Sequence, residues 1–128
     1  MRTKIFILWK TENLFTMKNK IVIVPFPFDD LSSTKVRPAV CLTDEIKPYG
    51  HIVLAFITSK VSANPSDTDF VIDSKDADFA QTGLKVSSTV RLHRLMTVSK
   101  KIIKRELGEL SQNQQAEIEN RLRKLFEI

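Results

Sequence analysis

IVIVPFPFDDLSSTKVRPAVCLT, residues 21–43, is a pair of apolar stretches separated by a polar loop, with prolines at positions 25, 27 and 38. Proline cannot donate to a β-ladder and belongs at strand starts, edges or bulges. The segment therefore reads as a strand that stops at the Pro-Phe-Pro turn, a loop over residues 29–35, and a second strand beginning near Val36. Pro38 also holds Arg37 extended, because the residue before a proline is steered away from the helical region. An arginine is thus fixed at the mouth of a strand, beside a loop of acids and hydroxyls.

Beyond this segment, three more stretches have strand composition. HIVLAFITS (51–59) follows a turn at Pro48 and Gly50, DFVID (69–73) lies between NPSD and SKDAD, and STVRLHRLMTV (88–98) alternates for part of its length. KRELGEL (104–110) reads as a last short strand or turn. The final segment, SQNQQAEIENRLRKLFEI (111–128), opens with a capping box, Ser111 followed three residues later by Gln114. Ile118, Leu122, Leu125 and Phe126 then share one helical face, which predicts a helix lying against the sheet. Short strands at this spacing predict a small curled sheet or barrel rather than βαβ units. The expected fold is mainly β with helices: a small β-barrel closed by a C-terminal α-helix.

The chain of 128 residues suffices for one domain with a single core. Its 20 basic and 15 acidic residues leave a net charge of +5, compatible with a polyanionic partner such as RNA or DNA. Cys41 is the only cysteine, so no intrachain disulfide forms, and its apolar neighbours Val40 and Leu42 make it a core residue. No apolar run approaches the roughly 20 residues of a membrane span. A cytoplasmic location with no membrane partner is expected.

Residues 1–16, MRTKIFILWKTENLFT, differ in character from the rest of the chain, and Met17 opens the first strand of the domain proper. Two readings stand: an extension from an upstream start codon, or an added edge strand over Lys4 to Trp9. The expected division is an extension over 1–16 and a domain over 17–128. Without the extension the charge is +5 − 2 = +3, since Arg2, Lys4, Lys10 and Glu12 leave with it.

His51 and His93 are far apart, and no HExxH, CxxC or paired-carboxylate spacing predicts a metal site. The acidic runs DDLSS (29–33) and SDTDFVIDSKDAD (66–78) lack EF-hand positions and read as solvated loops. There is no Walker loop and no GxGxxG, so no cofactor is expected. What remains is a set of cationic and hydroxyl residues at strand ends: Lys35, Arg37, Thr58, Ser59, Lys60, Arg91, His93 and Arg94. Arginine forks bind phosphate bidentately and a neighbouring hydroxyl donates to the same oxyanion. The alternative is that these are ordinary charges on exposed strand faces.

Together the segments IVIVPFPFDDLSSTKVRPAVCLTDE (21–45), HIVLAFITSKV (51–61), TGLKVSSTVRLHRLMTVSKKII (82–103) and LGELSQNQQAEIENRLRKLFEI (107–128) resemble, in order, the PemK/MazF family of toxins from type II toxin–antitoxin systems. The pairing of an Arg-Pro strand start with a following strand ending in Ile-Thr carries the resemblance. It implies an SH3-like barrel with a C-terminal helix, acting as a cytoplasmic homodimer. It also implies metal-independent, sequence-specific cleavage of single-stranded RNA or mRNA to 2′,3′-cyclic phosphate and 5′-hydroxyl ends, which inhibits translation and growth. A small cognate antitoxin would block the groove that the RNA crosses, and DNA binding would come with that antitoxin.

The family's catalytic arginine and threonine carry over to Arg37 and Thr58. Arg91 falls on the strand resembling the family's RNA-contacting strand, with Lys35, Ser59, Lys60 and Arg94 as further RNA contacts. Arginine is a poor general base, its pKa exceeding about 12, so another group takes the 2′-hydroxyl proton. His93 is the candidate, with a plain surface histidine as the competing reading. Phe26 is expected in the core and Phe28 is the candidate base-stacking face, an interaction worth about 1–3 kcal/mol per base. Two departures stand out: Asn19-Lys20 replaces the family's Gly-Asp pair, and Ser32 and Ser33 occupy a region where some relatives carry glutamate. A non-catalytic SH3-like module binding RNA or peptide, and a topoisomerase-directed toxin, are the alternatives on this fold.

Overall fold

The computed structural model of the chain describes residues 16–25 and 35–128. Six strands form one sheet: β1 (Lys20–Pro25), β2 (Val36–Cys41), β3 (His51–Thr58), β4 (Asp69–Ile72), β5 (Ser88–Ser99) and β6 (Arg105–Glu109). Their order is β4-β5-β3-β2-β1-β6, every neighbouring pair antiparallel. The sheet curls into a half-barrel, closed by the helix α1 (Gln112–Phe126).

The curl explains why several strands read as nearly unbroken apolar runs. A sheet with one face in water shows alternation, whereas one covered on both faces does not. Along β1, Ile21 faces one core with Val40, Ile57, Leu92 and the α1 residue Ile118, while Val22 and Val24 face a second. Ala39, Cys41, Leu54 and Phe56 share that second core, against which Met17, Ile102 and Ile103 pack. Each such side chain, fully buried, contributes about 1.5–3 kcal/mol.

Pro25 ends β1, as expected, and pairs with Val36 at the start of β2. Pro38 lies where the β2–β3 ladder stops: Ala39 pairs with Phe56, Val40 with Ala55 and Cys41 with Leu54, and no pair is formed beyond Ala39. A residue without an N–H suits that position. The β3–β5 ladder breaks at the same level, where one residue of β3, Phe56, stands against four of β5, Arg91 to Arg94. The surplus bends β5, so that Ser88 to Arg91 pair with β4.

Residues 104–110 contain a true strand, β6, at the sheet edge opposite β4. The capping box of α1 forms as expected: Ser111 Oγ accepts from the Gln114 amide at 3.1 Å, and Gln114 Oε1 accepts from the Ser111 amide at 2.8 Å. The helix face needs a correction at its end. Ile118 is buried, whereas Phe126 is 55% exposed, because the last turn runs past the sheet it covers.

Candidate functional site

Strand parity places the candidate residues. Arg37 continues the face of Ala39 and Cys41, and Thr58 that of Leu54 and Phe56, beyond the residues that fill the second core. Where the β2–β3 ladder ends, Arg37 and Thr58 each lie two residues beyond its last pair, Ala39 and Phe56. Arg37 is exposed and pairs through its backbone with Val24. One strand farther, Thr58 pairs with Thr89. Thr58 and Thr89 thus form a polar lip at this end of β3, with Arg37 exposed on β2.

Beyond the lip lies a cleft of about 300 Å³, lined among others by Thr58, Lys60, Ser62, Asp69, Thr89 and Arg91. The Lys60 amide donates to Thr58 Oγ1 at 3.2 Å, and Thr89 Oγ1 donates to the Lys60 carbonyl at 2.9 Å. Thr58 Oγ1 therefore accepts one bond and keeps its own proton for donation. Arg91 Nε is 3.8 Å from Asp69 Oδ1, in a half-exposed guanidinium whose Asp69 partner is largely buried. The Arg91 fork and the Thr58 hydroxyl lining one cleft suit an oxyanion such as a phosphodiester.

Residues 17–126 match the family described as "PemK-like, MazF-like toxin of type II toxin-antitoxin system". The chain belongs to this family. Its fold matches the Mycobacterium tuberculosis toxin MazF-mt6 with a TM-score of 0.64 at 23% identity, over 85% of this chain and 97% of that one. It also matches MazF from Deinococcus radiodurans (TM-score 0.64, 18% identity, 87% of this chain and 96% of that one). An endoribonuclease from a mycobacterial species, solved with its cognate antitoxin, gives TM-score 0.64 at 14% identity over 88% and 95% of the two chains. No curated protein matches the chain.

In this PemK/MazF-like toxin, the other residues singled out from the sequence are dispersed. Lys35 is exposed just before β2, and Ser59 is exposed immediately after β3. His93 and Arg94 are exposed within the β5 bend, and His93 Nδ1 lies 3.4 Å from Thr68 Oγ1. Phe26 and Phe28 lie outside the described residues, as do Ser32, Ser33 and residues 1–15. His51 is at the other end of β3 from Thr58, its ring stacked on Tyr49 with centroids 5.9 Å apart. Cys41 is fully buried, and burial, with the nearby Glu106 charge adding, pushes its thiol up to about 12, which makes it inert.

Sequence reasoning did not single out Val61, Ser62, Pro65, Asp69 or Thr89 as cleft residues. Thr89 shares the outward parity of Arg91 two positions later, a signal that was available. Asp69 begins β4, as the reading of DFVID (69–73) as a strand expects, but nothing in its acidic run marked its pairing with Arg91 across the ladder. Among the described residues, no three His, Cys, Asp or Glu side chains converge as a metal site, and no helix is long and apolar enough to cross a membrane.

Proposed function

We propose that this toxin is an endoribonuclease that cuts single-stranded RNA, mRNA included, in a sequence-specific and metal-independent way. The observation that supports this reading most is the cleft that Thr58 shares with Lys60, Thr89 and Arg91. In the proposed reaction the ribose 2′-oxygen attacks the adjacent phosphorus and the bond to the 5′-oxygen breaks. The products are a 2′,3′-cyclic phosphate and a 5′-hydroxyl. Charge builds on the non-bridging oxygens of the phosphorane, and fixed donors aimed there lower the barrier. Arg37 clamps those oxygens and Thr58 donates its hydroxyl proton to one of them.

His93 takes the 2′-hydroxyl proton, a task unsuited to arginine, and water supplies the proton that completes the 5′-hydroxyl. Arg91, Lys60, Lys35, Arg94 and Ser59 hold neighbouring backbone, and Phe28 stacks on a base. The working unit is a homodimer whose intersubunit groove takes the RNA and is blocked by a small antitoxin. The antitoxin-bound mycobacterial structure and the MazE–MazF structure from Deinococcus radiodurans support that last assignment.

The test incubates the full chain, freed of antitoxin, with long single-stranded RNA in excess EDTA, beside Arg37→Ala. Discrete cuts bearing 5′-hydroxyl ends, absent with the variant, are the expected result. If both proteins leave a broad panel of RNAs intact, the nuclease assignment is wrong, and binding-module and topoisomerase-directed readings replace it.

A further inference from the structure

Arg91 and Asp69 are directly opposite in the last pair of the β4–β5 ladder, so their side chains rise on the same face. Asp69 Oδ1 and Arg91 Nε are both buried and neither makes a hydrogen bond to a described residue, although only 3.8 Å separates them. An approach through Nε, in a side chain 41% exposed, leaves the two terminal nitrogens of the fork for another acceptor. That is the side of a guanidinium that grips phosphate bidentately.

The carboxylate is itself tied down. Its second oxygen accepts from the Ser66 amide at 3.3 Å and the Ser66 hydroxyl at 3.2 Å. The turn that carries it is braced from the helix: Arg121 Nη1 donates to the carbonyls of Asp67 and Asp69 at 2.9 and 3.2 Å, while its Nε donates to Glu117 Oε1 at 2.9 Å. A continuous set of contacts thus runs from α1 through the 66–69 turn to the Arg91 guanidinium. An acid beside a polyanion site is electrostatically unfavourable, so its presence at this buried spot calls for a compensating task.

We propose that Asp69 is a positioning residue: its carboxylate pre-orients Arg91 so that the terminal guanidinium nitrogens meet an RNA phosphate. This rests on the endoribonuclease reading above for the identity of the polyanion. Pre-ordering the arginine spares the cost of freezing a long side chain on binding.

Two opposed expectations make the idea testable. Asp69→Asn keeps the shape and an acceptor for Ser66 but moves the net charge from +5 to +6. As a mere surface acid, its neutralisation should tighten RNA binding. As a positioning residue, its loss should weaken binding about two- to tenfold. Affinity for a single-stranded oligoribonucleotide is measured in the Arg37→Ala background, so that the RNA stays intact. The weakening should disappear when Arg91 is also alanine.

The Arg91 Nε–H resonance, assigned by its loss in Arg91→Lys, is followed in the same proteins without RNA. It should be resolved in the parent and collapse to the free-arginine position in Asp69→Asn. Ser66→Ala, which removes the hydroxyl bond to the carboxylate and leaves the amide bond, should move the resonance the same way by a smaller amount and replaces Asp69→Asn if that variant does not fold. An unmoved resonance, or tighter RNA binding with Arg91 present, overturns the proposal. A collapsed resonance in a protein that binds no RNA upholds the positioning role while the nuclease reading fails.

Discussion

Thr89 donates its hydroxyl to the main-chain carbonyl of Lys60 at 2.9 Å, across the cleft floor between β5 and the segment that leaves β3. Thr89 is nearly fully buried, so this bond fixes where the chain turns away after Thr58. Thr89→Val keeps the shape and leaves the Lys60 carbonyl without that donor. A loss of about 1–3 kcal/mol is expected in urea unfolding, together with a higher KM for RNA as Lys60 loses its fixed position.

Thr58 tests the hydroxyl itself. Thr58→Val should lower kcat for RNA cleavage by about 10²–10³, the typical loss for one donor to a developing oxyanion. Thr58→Ser should keep most of the activity because the donor remains. Single-turnover cleavage of a defined oligoribonucleotide separates the two, and equal activity in both variants would remove Thr58 from the reaction.

Gly83 tests the packing of its turn against β6. Its φ of +73° follows the short 3-10 turn Ala80–Thr82, and a Cβ there would collide with the Leu107 carbonyl and carbon in β6. Gly83→Ala therefore combines a left-handed backbone with an overlap against main chain, which cannot rotate away. A destabilisation of more than about 2 kcal/mol is expected by thermal or denaturant unfolding.

Cys41 gives a pH signature. Its native pKa of about 12 lies above the ordinary 9.0, so the folded state holds the thiol proton more tightly. The associated stability is complete below pH 9.0 and is lost as pH rises toward about 12. Relative to Cys41→Ala, the native protein should lose about 1.4 kcal/mol per pH unit in that window. At pH 8 the folded thiol should resist alkylation and react only on unfolding.

Much of the fold was legible because local chemistry reports it. The prolines at 25 and 38 mark the ends of pairing, the Ser111–Gln114 box marks the start of α1, and the apolar runs IVIV and VLAFI mark strands buried on both faces. Phe126 was misplaced by the same logic: its helical periodicity is right, but periodicity does not say where the covering sheet stops. Arg37 and Thr58 emerged from the family motif, and Arg91 with them. Asp69 did not, since one more acid in SDTDFVIDSKDAD carries no mark of its partner 22 residues away.

The strands, their turns, the capped helix and the family are thus written in the sequence, because each depends on neighbours within a few positions. Which residues meet is a matter of tertiary structure. The four-against-one break in the β3–β5 ladder, the end of the β2–β3 ladder at Ala39, and the Arg121 brace on the 66–69 turn are consequences of register. Register is set by how two faces of a curled sheet fill two cores at once, a condition on the whole chain that no short window of residues contains.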